Sequence, residues 1–433
     1  MFTKKTLLQA DATGKTVLVR AEFDVPINEF GVITDDYRIR KTLPTIEHLR
    51  GLGAKVVLIS HLGRPKGAHD AHLSLAPVAQ RLSDLLHHKV VFVDDCIGEK
   101  RDAAVRSLQP GDVLLLENVR YYKEEEQNDA EFAKKLSKNC DLFVQDGFGV
   151  VHRPHASIIG IPAVLPSCAG FLLTSEVTTI TDALEAPKRP LAVVIGGAKI
   201  SDKIAVLKKV VEIADYVAVV GAMANTFLLA EGVAVGASLV EKNALHVAKE
   251  ILTIAYAKMQ QQRFTFYLPQ DVVVAKGTDN TLATRVVDIS HHTWADITSY
   301  PKKPNKASYT VADDELILDI GPMSASVIKG AISQASTVIW NGTAGVTEVV
   351  GLHGAAAPFS HGTRIITEAL IGDKAGNKNV PFTMFGGGDT VGYVESISGL
   401  REQLGHVSTG GGASLDLLSG KQLPGVTALQ DAT

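Results

Sequence analysis

LAVVIGGAKISDK, residues 191–203, opens with an apolar run and breaks on two glycines. A short unbroken apolar run reads as a strand buried on both faces, the kind found inside parallel sheets. Gly196 and Gly197 then let the chain turn with bare backbone near a ligand. Lys199 and Lys203 follow, each a compact point charge suited to phosphate. Strand, glycine turn and lysines together predict an α/β unit that holds an anion beyond the carboxyl end of a strand.

Working outward, the same rhythm of β-rich runs and helix-period segments covers the chain. Strands are predicted at 16–23, 55–60, 90–94, 113–116 and 142–145, then at 191–195, 216–220, 316–320, 338–340 and 381–385. Between them lie segments such as LAPVAQRLSDLL (75–86), in which Leu75, Val78, Ala79, Leu82 and Leu86 share one helical face. The fold class predicted is α/β, with two domains each built on a mostly parallel, doubly wound sheet with helices on both faces. At 433 residues and 45% hydrophobic content the chain suits two domains of ordinary size. LLTSEVTTITDALEAPKRP (172–190) reads as one helix stopped by two prolines, the expected connector between residues 1–172 and 191–406.

Composition excludes several function classes. A net charge of −4 does not fit a general nucleic-acid binder, which needs a basic face. Cys96, Cys140 and Cys168 form no CxxC pair, so neither a disulfide framework nor a zinc site is expected and a cytoplasmic location is. The start, MFTKKTLLQADATGK, lacks the apolar core of a signal peptide, and no apolar run is long enough to span a membrane. GKT (14–16) lacks the earlier glycine of a Walker motif, since Gln9 stands there, and it precedes a strand. Val391 and Leu415 occupy the final glycine position of GxGxxG, which disfavours a dinucleotide site. His87-His88 and His291-His292 have no carboxylate or cysteine at metal-ligand spacing.

The predicted strand ends carry the polar chemistry. In the first half they present Glu22 and Asp24, then His61 and Arg64 of HLGRP, Arg120 of ENVR, and His152, Arg153 and His155 of DGFGVVHRPH. With Arg38 of DDYRIR these form a set of cations able to face one anion. In the second half the ends are glycine-rich: GGAK, WNGTAGVTE (340–348), FGGGDT (385–390) and HVSTGGGAS (406–414). Glycine turns that open helices offer free N–H groups to a polyphosphate. Asp389 is readable either as a helix cap or as the carboxylate of a Mg²⁺ site.

VRAEFDVP, DDYRIR, SHLGRP, LLLENVR, FGVVHRPHAS, GGAKISDKI, GAMANTF, LDIGP, WNGTAGV, GGGDT and HVSTGGGASLDLLSGK, in this order, resemble the phosphoglycerate kinases over essentially the whole length. The resemblance implies reversible phosphoryl transfer between ATP and the carboxylate of 3-phosphoglycerate, in line and after domain closure, by a monomer that binds neither nucleic acid nor membrane. It implies an N-terminal domain for 3-phosphoglycerate, a hinge helix at 173–190, a nucleotide domain at 191–406, and a final segment, 407–433, packing back on the first domain. Glu22, Phe23, Asp24, Arg38, His61, Leu62, Gly63, Arg64, Arg120 and Arg153 would hold the glycerate. Gly197, Lys203, Gly221, Asn341, Glu348, Gly387, Gly388, Asp389 and Thr390 would hold the nucleotide, with Asp389 on Mg²⁺. Arg38, Lys199, Gly388 and Gly411 would serve the transfer itself.

A carboxylate acceptor has a pKa of about 3.5 and arrives ionised, so no general base is needed and none stands out. Several positions depart from the family pattern. Glu22-Phe23-Asp24 replaces Asp-Phe-Asn, so Asp24 gives up an amide donor and adds charge beside an anionic ligand. Val220 and Ala222 flank Gly221, Thr343-Ala344 replaces Pro-Leu, and Met323-Ser324 follows DIGP. A catalytically silent scaffold of the same fold and a dinucleotide-dependent dehydrogenase are the rival readings. Retention of Arg38, Lys199 and Asp389 together argues against the first, and the broken glycine motif against the second.

Overall fold

The structure, a computed structural model, describes residues 2–279, 281–290, 309–351, 357–372 and 380–432; His291 and His292 lie outside them. The chain separates into two compact units, one of Met1–Thr181, Gly412–Leu417 and Lys421–Thr433, the other of Asp182–Gly411 and Leu418–Gly420.

The first unit holds six strands: β1 (Thr16–Arg20), β2 (Lys55–Ile59), β3 (Val90–Val93), β4 (Val113–Leu116), β5 (Leu142–Gln145) and β6 (Ser167–Ala169). They pair in the order β3-β4-β2-β1-β5-β6, every neighbour parallel. Val17 and Val19 pack with Ile39, Ile46 and Leu49 of the helix Tyr37–Gly51, while Leu18, on the opposite face, is also fully buried. Burial of both faces explains why β1 lacks a polar alternation. The segment read as a helix from 75 starts at Ala76 with Leu75 as its cap residue, and its predicted apolar face is buried. The C-terminal segment returns to this unit, where the Lys5 N–H donates to the Gln430 carbonyl (2.8 Å) and the Gly425 N–H to that of Val151 (2.8 Å).

In the second unit β7 (Leu191–Ile195), β8 (Tyr216–Val219) and β9 (Thr265–Tyr267) precede β10 (Asp271–Ala275), β11 (Arg285–Asp288) and β12 (Leu316–Ile320). They are followed by β13 (Thr337–Asn341), β14 (Phe382–Gly386) and β15 (His406–Val407). The main sheet runs β15-β14-β13-β7-β8-β9, all parallel, with β7 on the residues expected. The segment 316–320 departs from the expected parallel pattern. As β12 it joins β10 and β11, two strands lying where none was predicted, in a separate antiparallel sheet.

The helix Phe171–Glu185 starts in the first unit and ends in the second, stopping before Pro187. Its first turn is capped by Asp146, which follows β5 and whose Oδ1 accepts the N–H groups of Leu172 (2.9 Å) and Leu173 (3.3 Å). The Phe171 N–H donates to Thr45 Oγ1 (3.0 Å), from the same helix that carries Arg38. Gly170 is required here, since a Cβ would stand 2.2 Å from Asp146 Oδ1. Burial pushes the Asp146 carboxyl up to about 7, against hydrogen bonds from Thr45 and the two leucine amides that favour its charge.

Asp146→Ala should cost about 1–2 kcal/mol of stability through the lost cap. A carboxyl raised to about 7 from 3.8 stabilises the fold fully below its unfolded value and loses that contribution as pH climbs through the folded one. Asp146→Asn, uncharged throughout, should therefore gain on the wild type between about pH 4 and 8. Urea midpoints followed by circular dichroism across that range check this; a difference independent of pH would contradict it.

Candidate functional site

In the first unit, the carboxyl ends of β1, β2 and β4 converge on one polar cluster. β1 ends at Arg20, β2 at Ile59 and β4 at Leu116, so the residues just beyond them are neighbours by register. Arg38 reaches in from the first turn of its helix, where Nη1 donates to the Asp24 carbonyl (2.5 Å). The same nitrogen lies 3.7 Å from Glu22 Oε1 and 3.8 Å from Asp24 Oδ2. Arg38 keeps 34% of its side chain exposed, whereas Glu22 is buried and its Oε2 has no hydrogen-bond partner. Asp24 Oδ1 accepts the Gly63 N–H (2.8 Å), and Oδ2 faces His61 Nε2 at 3.6 Å.

Asp24 is therefore compensated on three sides, so the charge it adds beside the cluster does not stand alone. Burial alone would raise its carboxyl, but His61, the Gly63 amide and Arg38 outweigh that and hold it below the usual carboxylate range. Burial pushes His61 down to about 3, assisted by the positive charges of Arg20 and Arg120 and opposed by Asp24. His61 is a neutral imidazole near neutral pH.

Arg120 sits buried beneath this cluster, donating from Nη1 to the Gly63 carbonyl (2.9 Å), with Nε and Nη2 lacking an acceptor. Burial and the nearby Arg20 and Arg153 lower it to about 10. Arg153 is half-buried with Nε donating to His152 Nε2 (3.4 Å), and Arg64 is exposed. Phe23 and Leu62 belong to the core, so these two predicted site residues can offer a ligand only backbone. The Phe23 N–H is itself taken by Ser60 Oγ (3.0 Å), and the Leu62 carbonyl by Asn118 Nδ2 (2.7 Å).

Arg20 and Glu125 were not anticipated. Arg20 is fully buried, donating from Nε to Ser157 Oγ (2.9 Å) and from Nη1 to the Ala21 carbonyl (2.6 Å). Ser157 in turn donates its hydroxyl (2.5 Å) and its N–H (2.9 Å) to Glu125, whose carboxyl is raised by burial although Arg20 and Ser157 favour its charge. The signal was present in TVLVR, where strand alternation puts Arg20 on the buried face of Leu18.

In the second unit, the ends of β7, β13 and β14 lie side by side, with Asn341 opposite both Ile195 and Gly386. Lys203 directs its ammonium at the Gly196 carbonyl (2.5 Å), the Asn341 carbonyl (3.3 Å) and Asn341 Oδ1 (2.6 Å). It thereby fastens two strand ends together. Burial lowers Lys203 to about 8, with Asp389 and Asp202 opposing. Lys199 stays exposed.

Gly387, at φ 97°, caps the helix Gly388–Glu395, in whose first turn Asp389 is exposed. Thr390 is buried, its hydroxyl accepting the Gly342 N–H (2.7 Å). A cavity of about 220 Å³ is lined by Gly197, Gly221, Ala222, Asn225, Glu348 and Asp389 among others. Gly411, at φ 48°, precedes the helix Gly412–Leu418. Of the departing residues, Thr343 and Ala344 are buried against this cavity, and Ser324 Oγ accepts the N–H groups of Gln270 (2.9 Å) and Asp271 (3.1 Å). Nothing in the structure explains Met323.

The cavity wall depends on glycine. A Cβ on Gly342, at φ 100°, would stand 2.3 Å from the Gly196 carbonyl carbon and oxygen, which are backbone and cannot rotate away. Gly342→Ala should cost more than about 2 kcal/mol, whereas Gly392→Ala, with open space and an ordinary φ, should be neutral or mildly stabilising. Thermal unfolding of the two variants checks the contrast; equal midpoints would contradict it.

Among the described residues no helix is long and apolar enough to cross a membrane, and no group of His, Cys, Asp and Glu side chains is disposed to hold a metal on its own. The family profile "Phosphoglycerate kinase" matches residues 7–421. A phosphoglycerate kinase from Thermosynechococcus vestitus is 45% identical over 435 aligned positions, covering 100% of both chains. That from Dictyoglomus turgidum is 44% identical, covering 99% of this chain and 100% of its own. The solved structure of phosphoglycerate kinase from Coxiella burnetii superimposes with a TM-score of 0.80 at 35% identity, covering 98% of each chain. Full-length agreement in sequence and fold means that the chain belongs to the phosphoglycerate kinase family.

Proposed function

We propose that this chain transfers a phosphoryl group reversibly between ATP and the carboxylate of 3-phosphoglycerate. The observation that carries the reading is the cluster around Arg38 and Arg120. Arg38 keeps a third of its side chain in solvent with its ion pairs at 3.7 and 3.8 Å, and Arg120 makes no hydrogen bond from Nε or Nη2, its Nε pairing only loosely with Glu126 Oε1 at 3.8 Å. Such groups gain most from a small, multiply charged anion. In this role Arg38, Arg64, Arg120 and Arg153 bind the glycerate's charges, His61 supplies a neutral donor, and buried Glu22 accepts from its hydroxyl.

In the second unit the cavity takes the nucleoside, with Glu348 at the ribose. The turns at Gly197, Gly221 and Gly387 offer backbone to the phosphates, and Asn341 and Thr390 hold those turns in place. Lys203, its donors already occupied, contributes charge from below. Exposed Lys199 follows the transferred group. Asp389 has the exposure and the position on the cavity wall to bind Mg²⁺ as magnesium usually binds, through one carboxylate with phosphates and water. The ion would neutralise phosphate charge. What the protein itself contributes is positioning and charge stabilisation, the usual demands of phosphoryl transfer.

Incubation with 3-phosphoglycerate and Mg-ATP in the presence of hydroxylamine tests the reaction directly. Acyl hydroxamate should accumulate only when both substrates are present; its absence would refute the proposal. Lys199→Ala should lower kcat by at least about 100-fold with little change in substrate KM, because the lost contact belongs to the transition state. An unchanged kcat would remove Lys199 from the transfer.

The Asp24 geometry reverses the sign expected from charge alone. Asparagine keeps one acceptor but turns a donor toward either the Gly63 N–H or His61. Asp24→Asn should therefore weaken 3-phosphoglycerate binding roughly several-fold, despite the lost repulsion. Calorimetric titration decides the matter, and tighter binding would show that repulsion dominates.

A further inference from the structure

Arg20 Nη2 lies 3.2 Å from His61 Nδ1. A guanidinium has donors only, so a hydrogen bond between these atoms requires Nδ1 to be the acceptor. The proton of the neutral ring then sits on Nε2, the nitrogen that faces Asp24 Oδ2 at 3.6 Å. We propose that Arg20 is a positioning residue that locks His61 in its Nε2–H tautomer, making His61 a neutral donor to the glycerate site rather than another cation. This role rests on the glycerate-binding reading given above, although the tautomer itself does not.

The remaining contacts of Arg20 show why it can hold one orientation. Nε donates to Ser157 Oγ (2.9 Å), Nη1 to the Ala21 carbonyl (2.6 Å) and, at 3.4 Å, to Ser60 Oγ. Ser157 in turn donates to buried Glu125, so the Nε side of the guanidinium is held by its own hydrogen-bonded chain. Arg20 and His61 are both buried, at 1% and 2% exposure, which leaves the ring no solvent partner to compete for Nδ1. The charged groups acting on the ring are Arg20 and Arg120, which oppose its protonation, and Asp24, which favours it. Burial first, and then the two arginines, keep the ring neutral against Asp24.

The chemical advantage is specific. A protonated histidine among Arg38, Arg120 and Arg153 would add repulsion and compete with them for the anion. A neutral ring with the wrong tautomer would turn a lone pair toward Asp24 and toward the incoming anion. Only the Nε2–H form puts a donor there without adding charge.

Long-range ¹H–¹⁵N correlation spectra of the full chain, with the His61 signals assigned by their loss in His61→Gln, test the lock without any substrate. Expected is an acceptor-type Nδ1 and a protonated Nε2, unchanged from about pH 5 to about pH 8. A protonated Nδ1, or titration within that range, would overturn the proposal. In folded Arg20→Met the ring should show mixed tautomers, and KM for 3-phosphoglycerate should rise about tenfold while KM for ATP stays within about twofold. A folded Arg20→Met protein with the wild-type tautomer, or with an unaltered KM for 3-phosphoglycerate, would overturn the positioning role. If Arg20→Met does not fold, the wild-type spectra alone decide. Wild type inactive on 3-phosphoglycerate but showing the expected spectra would refute the functional reading while leaving the tautomer lock intact.

Discussion

A buried charge without partners costs several kcal/mol, and Arg20, at the end of the central strand β1, is where the first unit must meet that constraint. Its donors are met by Ser157, Ala21, Ser60 and His61, which come from three separate stretches of chain. Satisfying one guanidinium therefore fixes the loops after β1 and β2 and the segment after β5 against each other. Ser60 also holds the Phe23 N–H, and Glu125 closes the network through Ser157. The groups proposed to bind the glycerate, Arg38, His61 and Arg120, and Asp24 beside them, are built on this layer.

The second unit meets a different constraint with backbone instead of charge. The strand ends of β7 and β13 approach so closely that Gly196 and Gly342 leave no room for a Cβ. Lys203 spans the same two ends with its ammonium. The product is a turn-lined cavity with exposed Asp389 on its wall, and Lys199 is exposed two residues beyond the Gly197 turn. Glycine turns with open backbone suit the polyphosphate proposed to bind there.

Much of this was legible in the sequence because parallel strands buried on both faces leave unbroken apolar runs. Leu191–Ile195 and Val113–Leu116 are strands over the residues read. The antiparallel set β10-β11-β12 was not legible as a separate sheet, since a run such as Leu316–Ile320 has the same composition whichever partner it takes. At the site, the residues proposed to touch a ligand carry their chemistry in their type, so arginines and glycine turns at strand ends could be found. Those that act through others could not. Arg20 looks like any strand-end cation, and Asp24 like uncompensated charge, until the Gly63 amide and His61 are placed beside it.

The central claim is that two anion sites, one per unit, divide the substrates between them. Calorimetric titration of wild type, Arg38→Met and Lys199→Met with 3-phosphoglycerate and with Mg-ADP, each ligand alone, tests it most directly. The account predicts that Arg38→Met loses 3-phosphoglycerate binding and keeps that of Mg-ADP, while Lys199→Met keeps 3-phosphoglycerate binding. Loss of Mg-ADP binding in Arg38→Met, or competition between the two ligands for the wild type, would contradict it.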